Sequence, residues 1–283
     1  MKNQIAITLI CLFTSISLFA QKSVGTPEQL KAFLKTTTLV VLDDNPLMAY
    51  NQEMKETVEK FWKITKYEFI SNADYDKKRK DPKYSFLTLD QVFYDKDNTK
   101  AQYNFLCLSL GGNYKTQSDM PQLCTVPLSY LGVDEESYVY KIGTLIKFIQ
   151  NHIKITSENP NLKEGNIIKY YNENISSIKD KTLYLVRDEL DPEVNSEAKI
   201  RESYPHKIKM VTRDEVEKAI KNSDPNVVFL HKVGPEGSKQ VARCFKVIMG
   251  ASDAKLYYFD YHMITDKFPD GLMKKDFKQL SKQ

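Results

Sequence analysis

The chain has 283 residues, 41% hydrophobic and 28% charged, with a formal net charge of +4. Such a composition supports packed cores in about two domains and excludes a chain disordered throughout. The positive charge gathers into no basic block, which excludes a dedicated nucleic-acid surface.

Lys2 precedes an apolar run from Ile5 to Leu18, and Leu18-Phe19-Ala20 comes before Gln21. Residues 1–20 therefore read as a secretory signal peptide cut after Ala20. The run is shorter than the ~20 apolar residues of a membrane span. Cys11 follows Ile10, where a lipoprotein cysteine would follow a small residue, so lipidation is not expected. Removal of the leader takes Lys2 with it and leaves +3. No later stretch is long and apolar enough to span a membrane. The expected location is outside the cytoplasm, in periplasm, at the cell surface or in the medium.

Thr26-Pro27-Glu28-Gln29 opens a first helix, with Thr26 and Gln29 spaced as a capping box and Pro27 at the first helical position. Thr38 to Asp44, Thr-Leu-Val-Val-Leu-Asp-Asp, is a buried strand that ends in two carboxylates and turns at Asn45-Pro46. A helix over about 51–62 places Met54, Val58, Phe61 and Trp62 at helical spacing. A short strand over 67–70, a charged helix from Asn72 to about Lys80, and strands over 84–94, 102–110 and 122–131 follow. A long helix over 138–153 turns Ile142, Leu145, Ile146 and Ile149 inward.

Residues 156–165 have linker composition. Beyond them the order repeats: a helix from Asn166, a strand at Thr182, a short helix over 197–204, a strand over 207–211 and a helix over 213–222. Strands over 227–232, 243–249 and 255–262 come next, then a tail helix over 272–280. Thr182 to Asp188, Thr-Leu-Tyr-Leu-Val-Arg-Asp, echoes Thr38 to Asp44 at a shift of 144 positions, and Lys35 falls on Lys179. The fold expected is α/β: two tandem copies of a small mixed-sheet unit, α-β-α-β-α-β-β-β-α. The divisions expected are 24–155, a linker at 156–165, and 166–283.

Open parallel sheets bind ligands beyond the carboxyl ends of their strands. Asp43, Asp44, Asp188 and Glu189 stand there, as candidates for acid/base or cation chemistry. The plainer reading is that these carboxylates bond the backbone of the turns that follow. His231, Cys244 and His262 are candidate metal ligands without any recognised ligand spacing. Cys107 and Cys124 face each other if their strands pair antiparallel without a bulge, which makes them a disulfide candidate. Of Tyr170-Tyr171 and Tyr257-Tyr258, alternation puts one of each pair inward. No nucleophile elbow, phosphate loop or cofactor motif occurs, and no cofactor is expected. These features point to an exported protein of the bacterial envelope that acts by binding or assembly, with another envelope protein as its candidate partner. The alternatives are an exported hydrolase using the strand-end carboxylates and a metal or small-ligand binding protein.

Overall fold

The computed structural model describes residues 24–237 and 240–282; the expected signal peptide lies outside them. Helix α1 (Pro27–Phe33) carries the capping box complete, Thr26 and Gln29 each accepting from the other's backbone N–H. Strand β1 (Thr37–Val41) lies between β2 (Lys66–Ile70) and β3 (Tyr84–Phe93), parallel to both. Antiparallel β4 (Gln102–Leu110) and edge strand β5 (Gln122–Tyr130) complete a five-stranded sheet. Helices α2 (Ala49–Phe61), α3 (Asn72–Lys78) and α4 (Ile142–Glu158) belong to this unit. Ser71, one residue earlier than expected, caps α3. α4 continues through the start of the expected linker, and the irregular connection is confined to residues 159–163.

The second unit begins with α5 (Glu164–Asn172) and a 3-10 segment (Glu173–Asp180). Strand β6 (Thr182–Val186) lies between β7 (Ile208–Val211) and β8 (Val227–Val233), parallel to both. β9 (Arg243–Gly250) and β10 (Leu256–Met263) add antiparallel strands. Helices α6 (Glu197–Arg201), α7 (Arg213–Lys221) and α8 (Lys274–Leu280) complete the order.

The two sheets have the same strand order and the same parallel and antiparallel pairings. The ladders agree once the echo is moved by one residue: the Thr37 N–H donates to the Lys83 carbonyl as the Thr182 N–H donates to the Asn226 carbonyl, and the Gly111 N–H donates to the Tyr84 carbonyl as that of Ala251 donates to the Val227 carbonyl. The echo at Thr38 and Thr182 therefore marks equivalent central strands of a duplicated unit.

The last helix takes the same place in both units. In the first, α4 packs on the side of the sheet presented by Val40 and Leu87, together with α1 and α2. In the second, α8 packs on the equivalent side, with Ile200 of α6, against Leu183, Leu185 and Val228. The core around α4 runs on into the second unit, taking in Ile167 and Tyr171 of α5, Val216 and Ile220 of α7, and Phe229 and Met249 of the sheet. The His152 ring on α4 meets the Tyr171 hydroxyl at 2.7 Å. A second apolar layer joins Tyr103, Phe105 and Cys107 of the first sheet to Val233, Cys244 and Phe245 of the second.

Both tyrosines at 257 and 258 are buried, against the expected alternation. A bulge between Leu256 and Tyr258 is the cause, because an extra residue in one strand breaks the two-residue period.

Candidate functional site

β3 and β4 run past the end of β1: Val40 has Leu87 as its last partner on β3, while β3 continues to Phe93. On the overhang, Thr88, Asp90 and Val92 share a side with Cys107, Phe105 and Tyr103 of β4. No helix of the first unit covers this part of the sheet: α3 packs further back, where Tyr75 meets Phe86, and Phe245 of the second unit covers Tyr103 and Phe105 while leaving Asp90 at an opening. The result is a pocket of about 860 Å³ at the carboxyl ends of the parallel strands. Its walls are the loop after β1, the start of α3, the overhanging β3 and the turn at 116–118.

Four carboxylates line this pocket, Asp43, Asp44, Asp76 and Asp90, and its lining contains no lysine, arginine or histidine. Amide side chains supply most of the remaining polarity, among them Asn72, Gln91, Asn104 and Gln117. Asp90 is the most enclosed of the acids. Burial pushes its carboxyl above the usual carboxylate range, and bonds from Thr88, Cys107 and Gln117 pull it back only in part. The Gln117 amide donates to Oδ1 at 2.9 Å. All of these partners are neutral, and Asp90 makes no ion pair among the described residues.

Three other enclosed carboxylates have a lysine, whereas buried Asp191 caps its turn by accepting from the Glu193 N–H. Glu189 pairs with Lys141. Asp270 accepts from Lys232 at 2.6 Å. Asp276 accepts from Lys246 at 2.6 Å and from the Tyr258 hydroxyl at 2.8 Å. A buried ion pair of this kind offsets its desolvation through close geometry and added hydrogen bonds.

The four strand-end carboxylates do not converge. Asp43 and Asp44 reach the pocket, Asp188 is exposed on the second unit, and Glu189 is buried on Lys141. Asp43 also serves its turn: Oδ1 accepts from the Asn45 N–H at 2.8 Å, while Asn51 brackets the same loop through Asp43 and Asn45. The plainer reading thus describes Asp43 well. Asp44, the neighbouring acid, is exposed at the pocket wall.

The metal candidates are separated by the pleat. His262 faces Cys244 across β9 and β10, but His231 pairs with Val247 and so points to the other side of the sheet. No group of three or more potential ligands forms among the described residues. His231 Nε2 donates to the Pro127 carbonyl of β5 at 2.8 Å, and His262 Nε2 donates to the Pro269 carbonyl at 2.8 Å. Burial, then the charge of Lys141, pulls the His231 pKa down to about 3.

The disulfide between Cys107 and Cys124 does not form, and both thiols are free and buried. Ser109 faces Gln122, as the expected register requires. Leu123 then bulges out of the ladder, so that Cys124 faces Leu108 and Cys107 faces Thr125. The two sulfurs end on opposite sides of the sheet, which is the outcome of a one-residue slip.

A second hollow, of about 1000 Å³, lies where the units meet, and several of its charges are already used. Glu135 accepts from the Ala49 and Tyr50 N–H groups at the start of α2, and Glu217 pairs with Lys221. The open pocket of the first unit is therefore the candidate site. Compared with known protein families, curated proteins and solved structures, the chain finds no match.

Asp90 escaped the sequence reading, although a signal was present. In Tyr84–Phe93 it takes the parity of Phe86, Thr88 and Val92, an acid among inward-facing positions.

Proposed function

We propose that this protein is an exported, non-enzymatic binding protein whose site is the first-unit pocket, and that the site selects a ligand carrying positive charge. One observation carries the reading: Asp90 is an enclosed carboxylate with only neutral partners, set in a pocket with three further acids and no basic side chain. Ionised carboxylates held away from water are stabilised by a cation, and here the ligand supplies it. The position fits, because open sheets bind ligands beyond the carboxyl ends of their parallel strands. The size fits too, since ligand pockets run to roughly 300–1,000 Å³. Export is part of the proposal and rests on Lys2, the apolar run from Ile5 and the Ala20-Gln21 junction.

Calorimetric titration of the mature chain with spermidine, and with citrate as the anionic control, tests the reading. Saturable binding of spermidine that Asp90→Asn weakens about tenfold is the expected result. Binding of neither probe, or spermidine binding indifferent to Asp90→Asn, overturns it.

A further inference from the structure

β3 is an inner strand that loses one neighbour partway along. The Lys83 carbonyl accepts from the Thr37 N–H on the β1 side, and the Tyr84 carbonyl accepts from the Gly111 N–H on the β4 side. Peptide groups alternate between the two edges of a strand, so those of Leu89 and Gln91 share the direction of Lys83 and point toward β1. The ladder with β1 ends at Val40 and Leu87, while the ladder with β4 continues to Phe93 and Gln102. The N–H and C=O groups of Leu89 and Gln91 therefore face the pocket with no described strand beside them. A bare edge of this kind is a template for a further strand.

The pocket reaches round this edge to both faces of β3. On the face shared with α2 and α4 its lining includes Met48, Leu89 and Leu131; on the face shared with α3 it includes Thr88, Asp90 and Asp76. The first face offers apolar surface, and it continues outward. Phe93 and Leu131 flank Gln102 on either side and are 61% and 37% exposed. The second face carries the acids. There Phe245 packs on Phe105, the residue opposite Asp90 on β4, and closes that flank. Asp90 is thus approached from the side where β1 has ended.

We propose that the bare edge of β3 is a strand-addition site: an extended peptide of a partner protein, alternating basic with apolar residues, pairs with the peptide groups of Leu89 and Gln91. Side chains of an added strand point alternately to the two faces of the sheet. Every second one meets Asp90 and Asp76 and is lysine or arginine. Those between meet Met48, Leu89 and Leu131 and are apolar. Backbone bonds along the edge supply affinity whatever the sequence, and the unlike faces supply selectivity with a period of two. This inference rests on the reading of the pocket as a cation site and gives the form of its ligand.

Calorimetric titration of the mature chain with short capped peptides provides the test, with spermidine titrated in parallel. One peptide alternates lysine with valine; a second has the same composition in two blocks. The alternating peptide should bind at least ~10-fold more tightly than the blocked one, and Asp90→Asn should weaken it by a similar factor. N-methylation of every second residue removes the donors of one strand edge at a time. Methylation in one phase should abolish binding and in the other phase preserve it. On the protein side, Gln91→Pro removes a donor that faces the pocket and none that faces β4, so it should weaken the peptide at least ~10-fold relative to Gln91→Ala. Equal binding of the alternating and blocked peptides, equal effects of the two methylation phases, or peptide binding indifferent to Asp90→Asn would overturn the added strand. Spermidine binding sensitive to Asp90→Asn would in those cases keep the cation site. Failure of spermidine and of both peptides would overturn both.

Discussion

Asp90 on β3 and Lys232 on β8 are enclosed groups of opposite charge on the corresponding strands of the two sheets, and only Lys232 has a counter-ion. The contrast predicts opposite responses to neutralisation. A carboxyl whose pKa is raised by folding binds its proton more tightly in the native state, so stability falls as pH rises from the unfolded value through the native one. At neutral pH the ionised Asp90 therefore destabilises the empty protein. Asp90→Asn should raise the midpoint of thermal unfolding at pH 7 and change it little at pH 3, measured by scanning calorimetry. Equal effects at both values would show that charge is not the cause.

Removing a partner of Lys232 should do the reverse. Both side chains of the Lys232–Asp270 pair are almost wholly buried. Asp270→Ala leaves an uncompensated ammonium and should cost ~3–5 kcal/mol in urea unfolding, and Lys232→Met in the same chain should recover most of it. Gly234 offers a second probe of this contact. A Cβ there would lie 2.0 Å from Asp270 Oδ1. Gly234→Ala should cost ~1–3 kcal/mol by crowding the carboxylate, and much less when Asp270 is already alanine.

His231 gives a pH signature. Its ring is neutral in the fold, with the pKa pulled down to about 3 by burial and by Lys141, and it must take up a proton on unfolding below its ordinary value of 6.5. Its stabilising contribution is complete above that value and is lost as pH falls toward 3. The parent protein should thus take up one more proton on unfolding than His231→Phe between pH 5 and 4. The unfolding free energy of each chain against pH measures the difference; identical slopes would contradict it.

Mass spectrometry addresses the N-terminus and the thiols together. Protein recovered from the cell envelope should lack residues 1–20 and carry no lipid. Alkylation without reduction should label none of Cys107, Cys124 and Cys244 in the native protein, since all are buried with burial raising each thiol pKa, and all three after denaturation. A native adduct, or a pair protected after denaturation, would run against the structure.

The duplication was legible because it is written locally. Thr38–Val41 and Thr182–Val186 are runs of strand-forming residues, and the turn residues around them recur in order. The pocket was not, because it forms where β3 outruns β1 and is walled by loops far apart in the chain. The error at Cys124 has the same root. Gln122 pairs as expected, and the single bulge at Leu123 displaces the next residue in a run with no glycine to mark the irregularity.

The shared core around α4 bears on how the chain reaches its native state. Synthesis delivers the first unit complete, but the α4 surface that meets Tyr171, Ile220 and Phe229 has nothing to cover it until most of the second unit has followed. A chain secreted N-terminus first would hold that apolar stripe in the open during passage. This is where a holding chaperone would act, and a truncation after residue 165 should yield an aggregating fragment in place of a free-standing half.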